Sequence, residues 1–433
     1  MDPRDATSTS FLNSEAEAAL RLLRVDDIGQ ARLRALRAAF GGGPSCGPSC
    51  GPSCGPSGGP SSGPSSGLAL AIDADAQEFA QAIGVDVLEA GRMQRSARAQ
   101  DLTDELRVMG ALGVRAVLEG DADFPELLLA SHDPPLLLLV RGALESTPEA
   151  AVAIVGARRA TPYGRVQAGR LAAELASRGV TVVAGGARGI DAEAHRGALR
   201  AGGRTIAVLA TGFSHPYPSD HAPLFDAIVE AGGCTMTEQP AGISVRPDLF
   251  PRRNRIIAAL SLVTIVVEAA NRSGALLTAR IAVDDLSREA GCVPGSIESP
   301  MSEGCHRAIR EGWAQLVTSA DDVCELMEQA RTVAHGAREI ACARGPVQRP
   351  RAQGRSVAEG AAKAKELQQR KPPSVDAGEV LATIRRERRA GLDELEDVLG
   401  WTVPRIACAT LELEVGRWIV RDVEGGFREL VGA

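Results

Sequence analysis

Aromatic residues are scarce in this 433-residue chain: eight Phe, three Trp and two Tyr make up 3%. That scarcity argues against an extended platform on which successive bases of a nucleic acid stack. Positive charge is not in excess either, since 48 Lys and Arg stand against 55 Asp and Glu for a net of -7. Coating of nucleic acid or an anionic membrane through bulk charge is disfavoured, and any such contact must be local. Long apolar runs are missing, and none reaches the roughly 18 residues that a membrane span needs. Met1 to Ser10 show no basic start followed by an apolar stretch, so a cytoplasmic protein is expected. The nine Cys form no disulfide framework, with three crowded at Cys46, Cys50 and Cys54 and six scattered.

What is present suffices for two or three domains, because one core rarely serves more than about 250 residues. The clearest break is Gly41 to Gly67, 27 residues built only from Gly, Pro, Ser and Cys. Such a stretch buries no core and predicts a flexible insertion spanning roughly 30 Å. Its Cys come from one repeated tetrapeptide with no His nearby, which favours a linker over a thiolate metal site; no metal and no cofactor is expected. Before it, Ser14 to Phe40 reads as helix, hairpin, helix, with Leu20, Leu23, Leu33 and Leu36 on apolar faces and a break at Asp26 to Gly29. After it come helical stretches over Asp75 to Ile83 and Asp86 to Met109, then a buried strand at Leu136 to Val140.

From Ala151 to about Met327, short apolar strands alternate with helical segments. The strands are Ala151 to Val155, Val180 to Ala184, Thr205 to Leu209, Cys234 to Thr237 and Leu262 to Val267. This pattern predicts a doubly wound, mostly parallel α/β sheet, Rossmann-like, with ligands at the carboxyl ends of its strands. Residues 331 to 373 are a basic linker, with ten Lys or Arg against three Glu. From Val375 to Leu430 three helices precede a strand pair around Gly425-Gly426, an order that fits a winged helix.

The loops carry the chemistry. The first strand ends in Gly156-Ala157-Arg158-Arg159, a Gly leading to a helix N-terminus, where backbone N–H groups and the helix dipole attract an anion. The second ends in Gly185-Gly186-Ala187-Arg188-Gly189-Ile190-Asp191, Arg204 precedes the third, and Arg252-Arg253-Asn254-Arg255 open another helix. Between Ala151 and Leu260 there are thirteen Arg, no Lys and eight acidic residues, a local net of +5. An Arg-only set in loops points to bidentate phosphate recognition, and Asn254 adds an amide that both donates and accepts. After the fifth strand, Ser273 and Gly274 stand where a helix cap and a close approach of backbone to ligand would be. Glu268 is expected to pair with one of the clustered Arg residues, and His195 to be a satisfied helix residue rather than a base.

These motifs, in this order, resemble the DNA-processing protein A (DprA/Smf) family: Val-Gly-Ala-Arg at 155 to 158, Ala-Arg-Gly-Ile-Asp at 187 to 191 with Ala194-His195, Tyr217-Pro218, Phe-Pro-x-Arg-Asn-Arg-Ile-Ile at 250 to 257, Arg-Ser-Gly-Ala-Leu-Leu-Thr-Ala-Arg at 272 to 280, and Val293-Pro294-Gly295. The chain departs from the family pattern at Ala184, Ser287 and His306, which marks a divergent member. The resemblance implies a sterile-alpha-motif-like helical domain over residues 11–110, interrupted by the insertion at 41–67. It further implies an extended Rossmann-like domain over 111–330, a linker over 331–373 and a winged-helix domain over 374–433. It implies a cytoplasmic homodimer, not an enzyme, that binds single-stranded DNA and hands incoming strands to the RecA recombinase in natural transformation. By motif position, Arg158, Arg188, Arg204, Arg253, Asn254 and Arg255 would line the DNA pocket, with Gly156, Ser273 and Gly274 shaping its floor. The alternative is a nucleotide-binding enzyme resembling the LOG-type phosphoribohydrolases. Against it, the comparable loop at Arg272 to Thr278 is followed by Arg280 in place of a catalytic Glu.

Overall fold

The computed structural model describes residues 12–41, 67–144, 150–343, 374–387, 392–415, 419–421 and 427–429. Cys46, Cys50 and Cys54, most of the basic linker, and Gly425-Gly426 lie outside the described residues. The chain divides into two compact units, Met1–Ile340 and Ala341–Ala433.

The first unit opens with six helices: α1 (Ser14–Leu23), α2 (Gln30–Phe40), α3 (Gly67–Asp73), α4 (Ala76–Ile83), α5 (Val87–Ala99) and α6 (Thr103–Leu112). Local caps set their limits. Asn13 accepts from the Ala16 amide at 2.7 Å to start α1, and Asp75 and Asp86 do the same for α4 and α5. The helix expected over Asp86 to Met109 is broken into α5 and α6, because the Asp101 carboxylate takes both the amide and the hydroxyl of Thr103, at 2.9 and 2.6 Å, and restarts the helix. Helix α3 is too short for periodicity to reveal; Glu15 fixes its start by accepting from the Leu68 amide at 3.0 Å. The ends of the insertion are not separated by the expected 30 Å. A Cβ on Gly67 would stand 2.9 Å from the Gly41 Cα, so the chain leaves and returns at one point.

Nine strands form one sheet: β1 (Val114–Leu118), β2 (Leu137–Gly142), β3 (Ala151–Val155), β4 (Thr181–Ala184), β5 (Thr205–Val208), β6 (Cys234–Thr237), β7 (Val263–Val266), β8 (Glu289–Cys292) and β9 (Gln315–Leu316). Their order is β1-β2-β6-β5-β4-β3-β7-β8-β9; β2 pairs antiparallel with both β1 and β6, and all other neighbours are parallel. The chain therefore winds outward from β3 through β4, β5 and β6, then returns to lay β7 on the other side of β3. The predicted parallel strands are all present, and the Leu136 to Val140 run is β2 of this same sheet.

The intervening helices are α7 (Glu126–Leu129), α8 (Pro162–Ser177), α9 (Ile190–Arg200), α10 (Ala222–Glu230), α11 (Leu249–Ala259), α12 (Gly274–Arg280), α13 (Glu303–Arg310) and α14 (Ala320–Ala343). Side chains alternate across β3. Ala151, Ala153 and Val155 pack toward α11, α12 and α13, while Val152 and Ile154 pack toward α8, α9 and α14. With both faces covered, every residue of β3 is apolar and buried. The six N-terminal helices share a core with Leu137, Leu139, Ala207 and Leu209 of the sheet. Gln30 bolts the two together, accepting from the Leu136 amide at 2.9 Å and donating to the Glu238 carbonyl at 3.1 Å.

The second unit holds α15 (Val375–Glu387), α16 (Leu392–Leu399), α17 (Val403–Val415) and an antiparallel pair, β10 (Ile419–Arg421) and β11 (Phe427–Glu429). Val380, Leu381, Leu395, Ile406, Leu413, Ile419 and Phe427 form its core.

Candidate nucleic-acid interface

Because β4 and β7 lie on opposite sides of β3, the loops leaving β3 and β7 diverge and open a crevice at the carboxyl ends, the place where open α/β sheets take ligands. A pocket of about 310 Å³ occupies it, walled by the β3 and β4 loops and by the first turns of α11 and α12.

Gly156 lets the β3 loop turn there. A Cβ at that position would meet the Ile190 side chain at 2.6 Å and the Glu268 carbonyl at 3.0 Å. The next residues project Arg158, exposed, with its guanidinium 4.5 Å over the Phe250 ring; Tyr217 meets the same ring edge-on at 5.8 Å. Among the described residues no carboxylate forms an ion pair with Arg158, so its charge faces the pocket without a salt-bridge partner. Arg253 forms the floor. Its Nη1 donates to the Gly185 and Val208 carbonyls at 2.5 and 2.7 Å, and a Cβ on Gly185 would collide with it. Burial lowers the Arg253 pKa to about 10, with Asp191 opposing, so it stays charged at neutral pH.

Asp191 is the matching acid. Burial pushes its carboxyl up, offset by Arg253 and by the amides of Gly185 and Ala187, which donate to it at 3.0 and 3.4 Å. Asn254 lines the wall and donates to the Gly274 carbonyl at 3.4 Å. Ser273 caps α12 by accepting from the Ala275 amide at 3.2 Å. A Cβ added to Gly274 would meet no atom within 4 Å; the position borders open pocket and is not forced to be glycine by packing. Arg159 in the loop after β3, Arg252 in the first turn of α11 and Arg272 in the loop before α12 are all exposed.

Not every Arg named from the sequence arrives here. Arg188 turns outward into a two-pronged pair with Asp220, at 2.6 and 3.2 Å. Arg255 braces α11 against the β2 approach, donating to the Asp133 carbonyl at 2.6 Å and pairing with Glu238. Arg204 precedes β5, so it lies at the amino end of the sheet, where its Nη2 donates to the Ala143 carbonyl at 3.3 Å. Glu268 pairs with no Arg among the described residues. Its oxygens accept from the Thr161 amide and hydroxyl at 2.9 and 2.5 Å, holding the start of α8. His195 is buried, donates from Nδ1 to the Thr205 hydroxyl at 2.7 Å, and has its pKa lowered to about 3 by burial. Sequence reasoning does not single out Phe250, Tyr217 or Asp191 as site residues, although each belongs to one of the motifs. Among the described residues no group of three or more His, Cys, Asp or Glu side chains has the arrangement to hold a metal ion.

A family model described as DNA recombination-mediator protein A matches residues 115–328. The putative DNA processing protein DprA of Mycobacterium tuberculosis is 42% identical over 237 residues, which are 52% of this chain and 60% of that protein. The DNA processing protein DprA of Streptococcus pneumoniae is 39% identical over 203 residues, 47% of this chain and 71% of that protein. The X-ray structure of DNA processing protein A from Streptococcus pneumoniae matches with a TM-score of 0.50 and 30% identity, covering 59% of this chain and 92% of that one.

Proposed function

We infer the function from one premise: this chain belongs to the DNA recombination-mediator protein A family. We propose that it binds single-stranded DNA in the carboxyl-end pocket and, acting in the cytoplasm as a homodimer, delivers incoming strands to the RecA recombinase in natural transformation. The observation that carries the binding reading is the combination of Arg158 at the rim, without a salt-bridge partner among the described residues, and a buried, still charged Arg253 in the floor. A pocket of about 310 Å³ takes a nucleotide unit of a flexible strand, whereas a duplex keeps its bases stacked and paired and does not enter. We read the six N-terminal helices as the sterile-alpha-motif-like domain and the second unit as the winged helix.

A hydrolytic reading needs a carboxylate free to act on substrate. Asp191 is held by two amides and faces Arg253, and Glu268 is engaged by Thr161, which supports binding over catalysis. Titration of oligothymidine by fluorescence anisotropy tests the reading. Arg158→Ala and Asn254→Ala should each weaken binding for all sequences alike, and unaltered affinity in the double variant would overturn the site. Capture of purified RecA on the immobilised protein tests the partner.

A further inference from the structure

A second basic groove opens between α8 and α9. The two helices touch at Gly169 and Gly197, where a Cβ on Gly197 would stand 2.3 Å from the Gly169 carbonyl. Beside that contact lies a groove of about 460 Å³ bordered by Pro162, Arg165 and Val166 at the start of α8, by Glu193 in the first turn of α9 and by Arg200, its last residue, whose side chain reaches back toward α8. Arg165 and Arg200 are exposed, and among the described residues neither pairs with a carboxylate. The Arg200 guanidinium lies across Gly169, where a Cβ would come within 2.8 Å of its Nη2. Glu193 does not cancel these charges, because it is taken by Arg196 at 2.7 Å. Val166 is 63% exposed and gives the groove an apolar wall for sugars and bases.

The groove adjoins the pocket. Arg158 borders one and Pro162 the other, four residues apart and so at most about 14 Å along the chain. Exposed Arg159 stands between them. Resting on the strand-binding reading above, we propose that a single strand seated in the pocket runs over Arg158 and Arg159 into this groove, where Arg165 and Arg200 hold its phosphates. A strand that fills only the pocket gains nothing from them; a longer one gains two phosphate contacts.

The test is the double variant Arg165→Gln/Arg200→Gln, which keeps polar side chains of similar reach and whose fold is checked by its melting curve. Binding of a thymidine dinucleotide, too short to reach from the pocket into the groove, should be unchanged, and binding of oligothymidine of about 30 nucleotides should weaken about tenfold. The slope of log affinity against log salt should shrink by about 1.4 for the long strand, at ~0.7 per phosphate. Val166→Arg, adding a cation to the wall, should tighten the long strand alone. Equal losses at both lengths, or no loss at either, would overturn the groove while leaving the pocket standing. Altered sedimentation with unaltered DNA affinity would overturn it in favour of a contact between copies of the chain. If Arg158→Ala also binds like the wild type, the pocket reading itself fails.

Discussion

Replacing Arg253 by Met should test the pocket floor directly. The side chain is 6% exposed, and its guanidinium holds two strand-end carbonyls while facing the buried Asp191. Met fills similar volume but strands Asp191 and both carbonyls. Removing one member of a buried charge pair costs about 3–5 kcal/mol, or roughly 6–20 °C in melting temperature at ~2–4 °C per kcal/mol. The cost should depend on pH. Asp191 already titrates above its ordinary 3.8 because burial outweighs the attraction of Arg253, and loss of that attraction raises it further. A carboxyl raised in the folded state contributes stability while protonated and loses it as pH rises through the folded value, about 1.4 kcal/mol for each tenfold change in its proton affinity. The deficit against wild type should therefore be largest near pH 8 and shrink as pH falls toward 5. Urea unfolding across that range reads it, and Arg253→Met/Asp191→Asn should recover part of the loss at pH 8. A deficit independent of pH, or a double variant no more stable than the single one, would refute the coupling.

Arg204→Ala should leave single-strand affinity unchanged where Arg158→Ala weakens it about tenfold, because only Arg158 borders the pocket; anisotropy at one fixed salt concentration compares them. Gly274→Ala should melt like the wild type, since a Cβ there meets nothing, yet bind DNA more weakly by narrowing the pocket; unchanged binding would place the strand elsewhere. Ser287 holds a φ of +52°, so Ser287→Gly should stabilise the unit by about 1 kcal/mol in thermal unfolding. Arg288 beside it donates to the Ala258, Ala259 and Leu127 carbonyls at 2.8, 2.6 and 2.8 Å. Arg288→Ala should therefore destabilise by several kcal/mol without a separate effect on DNA affinity once folded.

The parallel strands were legible because a strand covered on both faces must be apolar throughout, as β3 is, and such runs announce themselves. The breaks between helices were harder. Thr103 restarts a helix through two hydrogen bonds to the Asp101 carboxylate, a signal that helical periodicity over Asp86 to Met109 does not carry. The insertion misled in a simple way: its composition predicts the span of a free coil, but flanking helices that pack together bring Gly41 and Gly67 into contact whatever lies between.

The Gly and Arg loops at the strand ends, and with them the location of the ligand crevice, are local properties of the chain and can be read from it directly. Strand direction even carried a warning about Arg204, which precedes its strand while Arg158 and Arg188 follow theirs. What remained for the tertiary structure was the direction of each charge. At about 100° per residue along α11, Arg253 points away from both Arg252 and Arg255, which as an i, i+3 pair share a face. Packing of α11 against the sheet sends Arg253 under the pocket, Arg255 to Glu238, and Arg252 to solvent. Asp220 likewise claims Arg188, leaving Arg158 without a carboxylate partner among the described residues. Sequence sets where positive charge is available, but only the arrangement of carbonyls and carboxylates around each guanidinium decides which charge is left for a ligand.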